Sequence, residues 1–172
     1  MKLHMLAGPE IAVLPEFGAV EIDGITADSR EARPGWLFAA LPGAKADGAR
    51  FISDAIGKGA AAILARNGAA DGAQASVPVL TSPEPRRALA LMAARLTPAQ
   101  PATTVAVTGT SGKTSVADFT RQIFADLGHK GASLGTIGLV KPNGSIYGGL
   151  TTPDPVSLHS ALAELALSLI HI

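Results

Sequence analysis

The segment VAVTGTSGKTSVADF, residues 105–119, constrains the fold more than any other part of this 172-residue chain. β-Branched residues lead into a glycine-flanked loop, and apolar residues then recur at the spacing of a helix that Gly128 ends. The stretch TTVAVT before the loop is predicted to be a strand. The buried face of the helix is predicted to consist of four residues: Val116, Phe119, Ile123 and Leu127. Strand, loop and helix in this order predict an α/β fold with a mostly parallel sheet.

The loop itself has the chemistry of a phosphate site. The first amides of a helix lack intrahelical partners, and the helix dipole adds roughly half a positive charge there. Gly109 and Gly112 allow several amides to converge on one anion, Lys113 supplies a cation for the β- and γ-phosphates, and Thr114 offers a hydroxyl to Mg²⁺. The match to the nucleotide-binding pattern G-x-x-x-x-G-K-[ST] is incomplete, since Val107 stands at its first glycine. The alternative is a glycine turn that happens to end in Lys-Thr.

Composition excludes several classes of function. Lys and Arg together number 14, as do Asp and Glu, so the formal net charge is zero. A chain without net charge has no large field for nucleic acid or an anionic membrane, and phosphate recognition must be local. The absence of cysteine excludes disulfides and thiolate metal sites. With no apolar run of spanning length and no clear signal peptide, a globular cytoplasmic protein is predicted.

The first segment alternates short strands and helices. Strands are predicted at residues 36–41, 60–65 and 77–80, which are apolar runs between turn signals. The helix predicted within GARFISDAIGKGA should bury four residues: Phe51, Ile52, Ala55 and Ile56.

A second helix of this segment, in SPEPRRALALMAARL, should be capped by Ser82 and end at Thr97, before Pro98. Its apolar stripe is predicted to be Leu89, Met92, Ala93 and Leu96.

Residues 97–104, TPAQPATT, have the composition of a linker. They predict a first domain at residues 1–96 and a second at residues 105–172. In the second domain a further strand is predicted within KGASLGTIG, followed by a helix capped by Thr152 or Asp154. The buried face of that helix is predicted to be Leu158, Leu162 and Leu165.

Four stretches resemble the Mur ligase family, which adds amino acids to the peptidoglycan stem peptide. VAVTGTSGKTS is similar to the family's ATP loop, with Ser111 in place of the usual asparagine. TADSREARPGWLFAALPGAKADGARFISDAIGKGAAAIL resembles the first domain, which binds the uridine diphosphate end of the substrate. GTIG at 135–138 and LTTPD at 150–154 resemble central-domain signatures of the member that adds the third amino acid. The ligase that adds the terminal dipeptide is the nearest alternative.

This resemblance implies a set of site residues. The residues implied to wrap the ATP phosphates are Gly109, Thr110, Ser111, Gly112, Lys113, Thr114 and Ser115. Among them, Lys113 is the catalytic candidate and Thr114 the Mg²⁺ ligand. The residues implied to bind the substrate are Ala27, Ser29, Ala44, Lys45, Ala46, Thr151 and Thr152. Two questions stay open. Asp28 and Arg30 beside the serine are either part of the site or structural, as a solvated turn or an internal salt bridge. The threonine pair binds substrate, caps a helix or does both.

The resemblance also implies a reaction and its partners. With Mg²⁺ as cofactor, the γ-phosphoryl group of ATP passes to the D-glutamate carboxylate of UDP-N-acetylmuramoyl-L-alanyl-D-glutamate. A diamino acid then attacks the acyl phosphate and an amide forms. Meso-diaminopimelate is favoured over lysine, and a monomer is expected. The sequence does not identify the diamino acid, because the residues that select it in the family have no counterpart here.

Family members of full length have three domains, so this chain is expected to hold the first and the opening part of the second. The later magnesium ligands, the carbamylated lysine and the third domain of the family have no counterpart, and the chain alone is expected to be inactive. Residues 167–172, LSLIHI, can be translated from CTGTCTCTTATACACATC, a transposon end used in sequencing libraries. We therefore expect this tail to be a read-through artefact, and resequencing across the junction tests this.

Overall fold

The computed structural model describes residues 1–43, 47–69, 76–147 and 154–167. It divides the chain into two units, Met1–Leu96 and Thr97–Ile172. Predictions for residues 44–46, 151 and 152, and for the tail from 168 onward, lie outside the described residues.

Among its described residues, the first unit has a sheet of four parallel strands in the order β1-β2-β3-β4. The strands are β1 (Gly24–Thr26), β2 (Trp36–Ala40), β3 (Ala62–Arg66) and β4 (Val79–Ser82). The four residues from Ala62 to Ala65 in β3 are fully buried, as expected for a parallel strand covered on both faces. The three predicted strands are confirmed, although the third begins at Val79 and runs to Ser82. The α/β fold class with a parallel sheet is therefore confirmed.

The helices of the first unit are α1 (Leu3–Ala7), α2 (Ile52–Gly57) and α3 (Pro85–Leu96), with 3₁₀ turns at Gly8–Glu10, Pro15–Phe17, Ser29–Glu31 and Gly48–Phe51. Ile52 and Ala55 are buried as predicted, but Phe51 is 42% exposed, so its predicted burial is wrong. Asp47 starts a 3₁₀ turn by accepting the Ala49 N–H at 3.0 Å. Because that turn has about three residues per revolution, Phe51 falls off the buried face.

Helix α3 forms where its sequence predicts, although it begins at Pro85 and ends one residue before the predicted Thr97. The Ser82 hydroxyl accepts the Glu84 N–H at 3.1 Å, and the helix ends at Leu96. Three residues of the predicted stripe are buried: Leu89, Met92 and Ala93. Near its end, Arg95 donates to the carbonyls of Leu6 and Ala7 and pairs with Glu10. This arginine ties α1 to α3.

The second unit contains α4 (Lys113–Asp126), β5 (Ser133–Gly135), β6 (Gly138–Val140), β7 (Ile146–Tyr147) and α5 (Pro155–Leu167). The described strands pair antiparallel in the order β5-β6-β7. KGASLGTIG therefore forms a strand and the turn of a hairpin rather than one strand. Asp154 caps α5 by accepting the N–H groups of Val156 at 3.0 Å and Ser157 at 3.2 Å. Leu165 is buried as predicted, while Leu158 and Leu162 are half-buried.

Two predictions for this unit are wrong. Residues 103–108, TTVAVT, form no strand, and the predicted buried stripe of α4 is half or more exposed: Val116 50%, Phe119 61%, Ile123 58% and Leu127 68%. A strand needs a neighbour to complete its backbone hydrogen bonds, and no described strand pairs with this segment. Because residues 103–108 form no strand, they provide no sheet surface against which the apolar face of α4 could pack.

Candidate functional site

The glycine loop turns sharply into α4. Gly112 is the residue before the helix and has φ 78°, a left-handed conformation that favours glycine, and no side chain caps the helix there. A Cβ at Gly112 would meet no atom within 4 Å, so the space beside the loop is open. The first amides of this 14-residue helix therefore face a space that an anion can enter.

Lys113 folds back over this loop. Its Nζ donates to the Gly109 carbonyl oxygen at 2.5 Å, which places the ammonium group across the mouth of the turn. Thr110, Ser111 and Ser115 are exposed beside it. The lysine and three exposed polar side chains thus lie together at the solvent-accessible start of α4. A phosphate site needs a cation of this kind beside the free amides of a helix start.

Thr114 points to a residue that sequence reasoning did not assign to the site. Its Oγ1 lies 3.0 Å from the Oγ1 of Thr136, in the turn between β5 and β6. The prediction from sequence used Thr136 only as part of the GTIG signature. The GTIG signature was the available sequence signal for Thr136. It did not reveal the contact with Thr114, because the two residues are 22 positions apart along the chain.

The residues at the loop fit a cation that arrives together with phosphate. Within the described ranges, no group of three or more His, Cys, Asp and Glu residues could hold a metal ion by itself. Mg²⁺ is commonly held by one or two protein oxygens and completed by phosphate oxygens and water. A single threonine hydroxyl at a phosphate loop, here Thr114, suits that donor set.

The loop borders a cavity of about 420 Å³ inside the second unit. Residues 104–107, α4, β5 and α5 line it, and Lys113 and Thr114 stand at its edge. Most of the lining is apolar, with Phe124 and Leu162 among the larger side chains. The cavity lies where residues 103–108 were predicted to form a strand, consistent with loose packing under the loop.

In the first unit, the predicted uridine-binding segments follow neighbouring strands. Ala27 comes directly after β1 and is exposed, and Leu41 comes directly after β2. Because β1 and β2 are parallel, both segments leave the same edge of the sheet, where α/β folds usually bind ligands. An isolated antiparallel bridge joins Pro42 and Asp47.

Ser29 is 9% exposed, and its polar groups are already engaged. Its carbonyl accepts from Lys58 Nζ at 2.9 Å, and the same ammonium contacts Asp54 at 2.8 Å. The pKa of Asp54 is lowered, first by the hydrogen bond from Lys58 and to a smaller degree by the Ser29 hydroxyl. Ser29 is therefore anchored to α2, a contact that its sequence neighbours did not reveal.

Asp28 and Arg30 form the internal ion pair that was one of the two alternatives from sequence. The Asp28 carboxylate accepts from the Arg30 backbone N–H at 2.9 Å and from two guanidinium nitrogens, Nε at 2.9 Å and Nη2 at 2.5 Å. The side-chain and backbone hydrogen bonds from Arg30 lower the pKa of Asp28 to about 2. The pair holds the 3₁₀ turn at Ser29–Glu31 in place.

We expect this ion pair to give a specific pH response. The pKa of Asp28 in the folded protein lies below its ordinary value of 3.8. The contribution of the ion pair to the free energy of unfolding is therefore complete above pH 3.8 and is lost as the pH falls toward about 2. In Arg30→Gln the pKa of Asp28 should rise toward 3.8. NMR titration of the side-chain carboxyl measures this, and Arg33→Gln is the matched control. An Asp28 pKa that stays near 2 in Arg30→Gln contradicts the assignment.

Two profiles of known families match most of the chain. The "Mur ligase family, catalytic domain" profile matches residues 21–97, and the "Mur ligase middle domain" profile matches residues 107–170. The chain belongs to the Mur ligase family. The predicted resemblance is thereby confirmed. Separately, within the described residues no helix has the length and apolar character needed to cross a bilayer.

Two curated proteins similar to this chain carry the same name. The UDP-N-acetylmuramoyl-L-alanyl-D-glutamate–2,6-diaminopimelate ligase of Bradyrhizobium diazoefficiens is 57% identical over 166 residues, 96% of this chain and 34% of the relative. The enzyme of that name from Agrobacterium fabrum is 53% identical over 171 residues, again 96% of this chain and 34% of the relative. The chain thus spans about a third of the length of the relatives it matches.

Solved Mur ligases share the fold. A structure of a UDP-N-acetylmuramoyl-L-alanyl-D-glutamate–2,6-diaminopimelate ligase superposes with a TM-score of 0.76 at 23% identity, covering 99% of this chain and 34% of that one. The MurF ligase of Thermotoga maritima, solved in complex with ADP, superposes with a TM-score of 0.54 at 24% identity. The match covers 81% of this chain and 29% of that one. At these identities the likeness establishes the fold, and the ADP complex shows that a family member binds an adenine nucleotide.

Proposed function

We propose that this chain is the substrate- and nucleotide-binding part of an ATP-dependent ligase that adds a diamino acid to UDP-N-acetylmuramoyl-L-alanyl-D-glutamate. The observation that carries this proposal is the glycine loop, with Lys113 folded across the start of α4. The names of the relatives at 57% and 53% identity support the third-residue reaction and favour 2,6-diaminopimelate as the amino acid. They also disfavour the dipeptide-adding alternative.

The roles of the loop residues follow from charge. Transfer of a phosphoryl group needs positioning and neutralisation of negative charge more than covalent chemistry by the protein. The amides from Gly109 to Ser115 and the Lys113 ammonium would hold the phosphates of ATP. When bound, Mg²⁺ would further neutralise those phosphates, and the hydroxyl of Thr114 would be its ligand.

The first unit would hold the uridine diphosphate end of the substrate. Ala27 and Ser29 follow β1, and in the sequence Ala44, Lys45 and Ala46 come a few residues after β2, the parallel neighbour of β1. Lys45 would meet the diphosphate, for which an ammonium group is suited. Thr151 and Thr152 would contact the muramoyl-peptide part. We propose that the site for the uridine diphosphate end and the site for the nucleotide are distinct, the first in residues 1–96 and the second in residues 97–172.

We further propose that this chain binds these ligands without turnover, because it spans about a third of the relatives' length. We expect the protein to act in the cytoplasm as a monomer, with neither nucleic acid nor membrane as a partner. Phosphate release in the presence of ATP, the UDP-linked dipeptide and 2,6-diaminopimelate is the assay, and we expect none from this chain. Sustained release would contradict the proposal of binding alone.

Separate titrations of UDP and of Mg·ADP by calorimetry test the two sites. We expect Ser29→Ala to weaken UDP binding, because the hydroxyl is lost and the contact of the turn with Asp54 is disturbed. Mg·ADP binding should be unchanged. Ser53→Ala is the matched control, since Ser53 lies exposed on the neighbouring α2. If Ser29→Ala leaves UDP affinity at the level of the control, Ser29 does not belong to the substrate site.

A further inference from the structure

The contact between Thr114 and Thr136 joins two different elements of the second unit. Thr114 is the second residue of α4, and Thr136 lies in the two-residue turn between β5 and β6. Their hydroxyl oxygens are 3.0 Å apart, and either can be the donor. This bond therefore links the phosphate loop to the tip of the hairpin.

The hairpin holds Thr136 in a defined place. Leu134 pairs with Leu139, and Gly135 pairs with Gly138, directly below the turn. Leu139 is buried in a cluster with Ala132 and Leu165, so the strand under the turn is anchored in the core of this unit. The position of the Thr136 hydroxyl is thus set by the hairpin and its core, independently of the glycine loop.

A threonine that ligates a cation needs a hydrogen-bond acceptor nearby. A hydroxyl has one proton and two lone pairs, and it binds a cation through a lone pair. Its proton then points away from the positive charge and must be donated to another group. The oxygen of Thr136 lies at hydrogen-bond distance and can accept it. Such partners behind a ligand commonly fix its orientation and tune its affinity.

We propose that Thr136 is a positioning residue that accepts a hydrogen bond from the Thr114 hydroxyl and so orients the lone pair of Thr114 toward a nucleotide-bound Mg²⁺. The inference rests on the proposed function of the loop as a Mg·nucleotide site. Thr136 touches neither phosphate nor cation in this account and acts through Thr114. Its effect should therefore depend on the presence of Mg²⁺.

The substitution Thr136→Val tests this, because it removes the hydroxyl and keeps the branched shape and nearly the same volume. We expect the dissociation constant of ADP in the presence of Mg²⁺ to rise roughly tenfold, the lower end of the usual effect of losing such a partner. With EDTA in place of Mg²⁺, the affinity of Thr136→Val for ADP should equal that of the parent chain measured with EDTA. Thr136→Ser should restore Mg-dependent binding. Thr120→Val is the matched control, since it removes a hydroxyl elsewhere on α4.

A double-mutant cycle separates positioning from a general effect on folding. If Thr136 acts through Thr114, then Thr114→Val combined with Thr136→Val should bind Mg·ADP as weakly as Thr114→Val alone. Additive losses, an equal loss with EDTA, or unchanged Mg·ADP affinity in Thr136→Val would each overturn the role of Thr136. Failure of the parent chain to bind Mg·ADP contradicts the proposed function of the loop, and with it this inference.

Discussion

Replacing Lys113 with alanine should reduce affinity for Mg·ADP by roughly 30-fold or more. The ammonium group lies 2.5 Å from the Gly109 carbonyl oxygen, beside the start of α4. A hydrogen bond to a charged group is worth about 1.5–3 kcal/mol, and about 2 kcal/mol corresponds to the expected factor. Calorimetric titration of the full chain with Mg·ADP measures the change.

The control for this prediction is Lys130→Ala. Lys130 is exposed beyond the far end of α4, so its loss removes the same charge from the same unit without touching the loop. We expect its affinity for Mg·ADP to equal that of the parent chain. Equal affinity in the Lys113 and Lys130 variants would show that the ammonium group at the loop does not bind phosphate.

The second large effect is expected from Phe38→Ala in the core of the first unit. Phe38 is 1% exposed in the middle of β2 and belongs to the cluster that includes Ile52 and Ile63. Truncation of a buried phenylalanine usually costs about 3–5 kcal/mol, from lost burial and the cavity left behind. We expect the free energy of unfolding of the first unit to fall by that amount. Urea denaturation followed by the fluorescence of Trp36, the only tryptophan, measures it.

The same change at Phe119 gives a matched comparison in the second unit. Phe119 is 61% exposed on α4, so Phe119→Ala should alter stability by less than about 1 kcal/mol. Far-UV circular dichroism during denaturation reports the helices of both units, α4 included, whereas the fluorescence of Trp36 reports on the first unit alone. A loss in Phe119→Ala as large as that in Phe38→Ala would mean that this face of α4 is buried in solution.

Limited proteolysis tests whether the two units differ in stability. Residues 1–96 carry the buried parallel sheet, whereas α4 has an exposed apolar face and a cavity beside it. We therefore expect a protease to digest the second unit first and leave a fragment close to residues 1–96. Simultaneous loss of both units would contradict this expectation.

Local patterns predicted much of the first unit. The apolar runs around Phe38 and Ile63 identify buried strands, because only a strand covered on both faces is continuously apolar over such a short length. Ser82 and Pro98 mark the ends of α3, since capping and proline geometry act on immediate neighbours. The family motifs were equally local, and two domain profiles bear them out.

The errors arose where the local pattern depends on a distant partner. TTVAVT has strand composition, yet no described strand pairs with it. The stripe from Val116 to Leu127 has helical spacing, and the helix forms, but its face is exposed because periodicity alone does not supply the surface to be covered.

The sequence by itself determined the glycine loop, the helix behind it and the strands of the first unit, because each depends on residues close together in the chain. Only the tertiary structure decided that Thr136 lies against Thr114 and that Ser29 is anchored by Lys58. These contacts join residues 22 and 29 positions apart, on elements whose approach depends on the packing of the whole unit. Spacing along a helix or a strand carries no information about such an approach.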